Sequence, residues 1–269
     1  MDRHTFYRLA IALFAAAFFA ACATSPAVPP EARAELVPTG KLRAGINFQN
    51  TLLTTLGPNG EQGGVAVELM RELARRLGVP LEIASYKSAG AMADAVKTGN
   101  WDVAVLADEP QRAKEIAFAG PLTEIEATYL VPSGSTLRSV GDVDRPGVRI
   151  VVGANSANDL YLRRTIKQAT LLPIAGNANA AKHFAAEKIE ALAGLKPQLL
   201  SVATQMPGSR VLTGNYSVVR HTAGTIPGRN AGLAYLRAFV EDVKASGLVA
   251  QWIEKSGVKG LSIAPPVKQ

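Results

Sequence analysis

The sequence predicts an α/β protein of two lobes, with a cleft between them and a two-strand hinge. Three observations carry this expectation. Short β-like apolar runs alternate with helical stretches from residue 41 onward. The same rhythm starts again after Pro132. Two further β-like runs, 128–131 (TYLV) and 217–221 (SVVRH), stand where the halves would meet. Alternating strands and helices imply parallel pairing, here a sheet for each half. Ligands of such sheets bind beyond the carboxyl ends of the strands, near helix N-termini. Two chain crossings make a hinge over which lobes close.

Taken in order, 41–46 (KLRAGI) is a short strand that runs into turn-rich chain holding Gly57, Pro58, Asn59 and Gly60. Gly63-Gly64 opens VAVELMRELARRLG, where Leu69, Met70, Leu73 and Leu77 fall on one helical face. Glu72 and Arg76 form an i,i+4 pair on the other face. Gly78 and Pro80 stop that helix. Residues 81–85 read as strand, 90–98 as helix and 101–106 (WDVAVL) as a buried strand. In the second half, 149–152 (RIVV) is strand and 158–166 helix. Then come strand 170–172, helix 178–187, strand 189–193, helix 197–206 and strand 216–220. The chain closes with helix 231–246, a break at Gly247, and helix 248–256.

The N-terminus reads as an address. Arg3, His4 and Arg8 precede 13 residues without charge, LAIALFAAAFFAA. That run is short of the ~20 apolar residues a membrane span needs and fits the core of a signal peptide. The chain's one cysteine, Cys22, follows it. Phe19-Ala20-Ala21-Cys22 resembles a lipobox in which Cys22 is lipidated and becomes the new N-terminus, with Phe19 where Leu is usual. Ordinary cleavage at an Ala-x-Ala site is the alternative. Residues 1–21 are thus assigned to a signal peptide and 22–35, rich in Ala, Pro and Ser, to a linker. Either cleavage takes the chain out of the cytoplasm, to the periplasm or cell envelope.

Composition excludes other classes. Hydrophobic residues make up 48%, charged residues 19%, and mean hydropathy is +0.11, which excludes disorder. One Cys allows neither an internal disulfide nor a thiolate metal cluster, and His4, His183 and His221 lie far apart, so no metal site is expected. The formal charge is +7, but Arg75-Arg76 and Arg163-Arg164 lie in helical stretches with acidic neighbours, and no basic run interleaves with aromatics. These read as solvated helix faces rather than a nucleic-acid surface.

The ordered series GKLRAGINFQN, GVAVELMRELARRLGVPLEI, WDVAVLADEPQRAKEIAFAGPL and ATYLVPSGS resembles the first lobe of the bacterial extracellular solute-binding proteins, family 3. RIVVGANSANDLYL and EKIEALAGLKPQLL resemble its second lobe. YSVVR and AGLAYLRAFVEDVKASGLVAQWIEKSGV resemble its return to lobe one and its terminal helices. The resemblance covers about 40–262. It implies a periplasmic-binding-protein-like fold, and the repeated rhythm with its two β-like crossings sets lobe one at 36–129 plus 222–269 and lobe two at 130–221. The resemblance also implies a monomer without cofactor that hands a small solute, often an amino acid, to the permease of an ABC importer.

The resemblance assigns site residues by position. Arg112, in the turn Glu109-Pro110-Gln111-Arg112, matches the arginine that takes a ligand carboxylate, and a guanidinium pairs with a carboxylate through two parallel donors. Asn155, Ser156 and Asn158, in Gly153-Ala154-Asn155-Ser156-Ala157-Asn158-Asp159, match the helix N-terminus that closes over it; Ser156 or Asn158 serving only as the N-cap is the alternative.

The chain also departs from the family pattern. Leu195, followed by Lys196, stands where an acid receives the ligand's ammonium. Ala66 replaces another acid, and the loop at Ala107-Asp108-Glu109 is shortened. The aromatic sandwich is reduced to Phe48, followed by Thr51-Leu52-Leu53. Glu109 is then the expected ammonium partner. Asn47 and Asn50 are expected to supply neutral hydrogen bonds, and Lys196 is counted among the ligand contacts. Two other functions fit the scaffold: a ligand-sensing module for a separate membrane partner, and a dehydratase-like periplasmic enzyme with Glu109 as its acid.

Overall fold

The computed structural model describes residues 27–267. The expected signal peptide and Cys22 lie outside the described residues.

The sheet follows from the strand alternation. Strands β1 (Leu42–Asn47), β4 (Leu81–Tyr86) and β5 (Val103–Ala107) pair parallel in the order β4-β1-β5. In the second half β8 (Arg149–Gly153), β9 (Thr170–Ile174) and β10 (Ala191–Leu195) pair parallel in the order β10-β8-β9. Between the triplets run two long antiparallel strands, β7 (Thr123–Val131) and β12 (Ser217–Thr225), in register Ser217↔Ala127 to His221↔Thr123. They are the two crossings expected at 128–131 and 217–221. β12 also pairs with β5, and β7 with β10, so the ladder is unbroken from β4 to β9. This corrects the expectation of a separate sheet for each half. The long crossing strands exceed the link they make, and their free edges extend both triplets.

What separates the halves is their cores. In the first, Val103, Val105 and Ala107 face a cluster with Leu69, Leu73, Phe239 and Trp252, while Ala104 and Leu106 face another with Met92, Trp101 and Ile116. Side chains alternate across a strand, so one run of apolar residues serves two layers. β8 does the same: Ile150 and Val152 face one cluster, Val151 the other with Phe184 and Leu199. The cores change over between Ala127 and Tyr129 on β7, and between Leu212 and Val219 on the way into β12. Ala157 and Leu195, from the second half, reach the first half's cluster, so the halves touch across the cleft.

The helix expected after Gly63-Gly64 is α2 (Val65–Leu77), with eight buried residues on its inner side. Gly78 ends it in the left-handed region at φ 64°, a conformation a side chain resists. Glu72 holds both Arg75 and Arg76, and Arg76 reaches Asp242.

The linker assignment is corrected from Pro30 onward. Pro30–Leu36 is a helix, α1, with Ala32 and Leu36 fully buried. Proline is tolerated in a first helical turn, where its missing N–H has no partner to lose. α1 packs on the long helix α7 (Asn230–Ala245), and the Glu35 carboxylate accepts from the Gly232 N–H at 2.7 Å, near the start of that helix. Arg33 donates to the Leu77 carbonyl.

Candidate functional site

Four chain ends converge between the halves. After β1 the turn supplies Asn47 and Asn50. After β5 a single 3-10 turn, Arg112–Lys114, supplies Arg112. After β8 comes the start of α4 (Ala157–Thr165), and β12 contributes His221. Together they line a cleft, joined by Thr54, Asn177 and Gln198. Three of these are carboxyl ends of parallel strands, the place where open sheets leave room for a ligand.

Arg112 is 5% exposed. Its guanidinium donates to the Ala107 carbonyl at 3.2 Å and, across the cleft, to the Asn155 carbonyl at 3.1 Å. Burial lowers its pKa to about 10, against the opposing charges of Glu109 and Asp94, so it stays charged at neutral pH. Among the described residues no carboxylate lies within ion-pair distance of it. A buried cation that makes only two neutral contacts is costly unless an anion completes it.

The start of α4 is held from both sides. Asn155 sits in the left-handed region at φ 56°, which aims its carbonyl at Arg112 while its N–H donates to Asp159 at 2.7 Å. Its side chain lies against Gly90 of the first half, where an added Cβ would come within 2.7 Å of the Asn155 Cβ. Ser156 is the N-cap, its Oγ accepting from the Asp159 N–H at 3.2 Å. Asn158 is buried and its Oδ1 accepts from the Tyr216 hydroxyl at 2.8 Å. Ser156 and Asn158 line the cleft.

Glu109, Lys196 and Phe48, expected at the site, do not line the cleft. The Glu109 carboxylate takes Arg164 of α4 at 2.8 Å through one oxygen, so it bridges the halves. Lys196 pairs with Glu126 at 2.5 Å and lines a different hollow, beside Leu200 and Lys259. It begins α6 (Lys196–Thr204). Phe48 packs against the first half's core instead of lining the cleft. Leu195 and Ala66, at the two positions that lack an acid, do line it.

Sequence reasoning missed His221. It is 6% exposed, on the same face of β12 as the buried Val219. Its Nε2 lies 3.3 Å from the Asn50 Nδ2, and its Nδ1 is buried without a partner. Burial, and then the charge of Arg112, lower its pKa to about 3, so the ring is neutral. A polar residue on the inward face of a crossing strand was the available signal.

Residues 42–258 match the profile of the bacterial extracellular solute-binding proteins, family 3. The chain belongs to that family. Solved structures agree with it in fold. The solute receptor for L-cysteine of Neisseria gonorrhoeae is 20% identical, with a TM-score of 0.74 over 87% of this chain and 99% of that one. A mutant of the arginine-binding protein ArgBP from T. maritima is 20% identical, with a TM-score of 0.71 over 84% of this chain and 99% of that one. An ancestral amino acid-binding protein, described as a precursor of cyclohexadienyl dehydratase, is 20% identical, with a TM-score of 0.70 over 83% and 98%. No match was found among curated proteins. Membership in the family makes this chain an extracytoplasmic solute-binding protein of the two-lobed fold. Among the described residues no helix is long and apolar enough to cross a membrane, and no cluster of His, Cys, Asp or Glu is arranged to hold a metal ion.

Proposed function

We propose that this family-3 protein captures a small carboxylate-bearing solute without transforming it and delivers it to the permease of an ABC importer. One observation carries the reading: Arg112 is buried in the cleft, charged, and unpaired with any carboxylate of the described chain. In this reading lobe one is 36–129 with 222–269, lobe two is 130–221, and the lobes close about β7 and β12. The binding of amino acids by similar solved structures supports a solute of that size. The protein acts as a monomer held to the membrane through a lipid on Cys22.

A dehydratase-like activity has less support. Its nominated acid, Glu109, is held by Arg164. His221, with a pKa near 3, is a weak base at neutral pH.

Arg112→Ala tests the proposal. Truncating one partner of a buried charge pair costs about 2–5 kcal/mol, and each 1.4 kcal/mol is tenfold in affinity. Calorimetry with a carboxylate found by thermal-shift screening is expected to show a loss of about 30-fold or more. Wild-type affinity in the variant would place the site elsewhere.

A further inference from the structure

Three carboxylates close to the cleft are each held by an arginine. Glu109 holds Arg164, Asp159 holds Arg163 through both oxygens, and Asp108 pairs with Arg220 at 3.2 Å. Among the described residues no Asp or Glu lines the cleft. A ligand ammonium placed there would therefore stand beside Arg112 with no carboxylate in the lining to receive it, and like charges in a poorly solvated site repel.

The neutral groups point the same way, because the protein fixes which end of each amide is free. Asn47 Oδ1 accepts from the Gln49 N–H at 3.0 Å, and Asn158 Oδ1 from the Tyr216 hydroxyl. Each therefore leaves its NH2 for a ligand. Asn50 Oδ1 accepts from the Leu52 N–H, so its Nδ2 is the end that meets His221. An amide NH2 only donates, so His221 Nε2 accepts and the proton of the neutral ring sits on Nδ1. That N–H is buried and has no acceptor. A buried donor without a partner costs more than one that is paired. Asn177 and Gln198 also line the cleft, but a neutral oxygen does not offset the charge of a second cation.

We infer that the cleft selects a carboxylate with an oxygen acceptor and no cationic group, a 2-oxo or 2-hydroxy acid rather than the 2-amino acid, with His221 Nδ1–H as the donor that reads the oxygen at carbon 2. The inference rests on Arg112 holding the carboxylate, as proposed above.

The test is calorimetry on the full-length protein in detergent at pH 7.5, with matched sets differing only at carbon 2. The sets are L-alanine, L-lactate and pyruvate; L-leucine with its 2-hydroxy and 2-oxo analogues; L-phenylalanine with phenyllactate and phenylpyruvate; L-glutamate with 2-hydroxyglutarate and 2-oxoglutarate. In at least one set the oxo or hydroxy acid is expected to bind tenfold or more tighter than the amino acid. His221→Phe is expected to weaken that binding about tenfold, and His221→Gln, which keeps a donor, to weaken it less. A set in which the amino acid binds as tightly or tighter, with no set favouring its analogue, overturns the inference. So does the absence of binding by every oxo and hydroxy acid. If amino acids bind and Arg112→Ala abolishes their binding, the carboxylate reading stands and only the selectivity fails. If Arg112→Ala changes nothing, the carboxylate reading itself fails.

Discussion

At the scale of single residues, His221 is the most informative group in the cleft, and it has a signature independent of any ligand. The unfolded chain binds a proton near the ordinary histidine value of ~6.5, whereas the folded chain holds His221 neutral down to about 3. Between those values the unfolded state carries the extra proton, so stability rises with pH and falls on acidification, by about 1.4 kcal/mol per pH unit for one proton. Glu72 has the same sign lower down. Hydrogen bonds from Arg75 and then Arg76 lower it to about 2, and that stabilisation is lost as pH falls below the ordinary glutamate range. Comparing variants removes the Glu72 contribution. Melting temperatures of wild type and His221→Gln measured between pH 7 and 4.5 are expected to converge on acidification, the variant having the flatter slope. Parallel slopes would mean that His221 takes a proton in the folded protein. In the sequence its one signal was a polar residue on the inward face of a crossing strand, and its pairing with Asn50, 171 positions away, was not legible. Arg112 was legible because its turn has a local pattern. The fate of Glu109 was not, since its partner lies on the other half.

At the scale of elements, the strands and helices of each half were legible where apolar periodicity ran long enough. The helix Val65–Leu77 was expected within a residue at each end. α1 was hidden because seven residues with two prolines close by resemble a linker, and its burial at Ala32 and Leu36 and its contacts with Gly232 and Leu77 come from distant chain. Closure depends on elements too. The turn after β5 and the helix α4 meet through Glu109–Arg164 and through Arg112 to the Asn155 carbonyl. The Arg164 side chain is 40% exposed and that of Glu109 11%. A partly exposed pair contributes about 1 kcal/mol or less. Arg164→Ala is therefore expected to weaken solute binding only a few-fold, mainly through faster dissociation, because the pair forms only when the halves meet. Stopped-flow release rates check this. An unchanged rate would remove Glu109–Arg164 from the closing contacts.

At the scale of the whole molecule, the position of α1 bears on how the protein is held at the membrane. Val28 already packs partly against the first half's core, and the chain is helical from Pro30. If Cys22 is the lipidated N-terminus, residues 23–27 alone join it to the packed chain. At ~3.6 Å per residue that tether reaches about 18 Å when fully extended. A single acyl chain binds membranes marginally, whereas several chains on one cysteine anchor stably. The proposed anchor would thus keep the body within about 18 Å of the bilayer, and closure would occur beside a membrane-embedded permease rather than in free diffusion. Mass spectrometry of the N-terminal peptide is expected to show a mature chain that begins at a diacylated Cys22, and globomycin is expected to cause the unprocessed form to accumulate. An unmodified N-terminus that starts elsewhere would release the protein into the envelope space and remove the short tether with it.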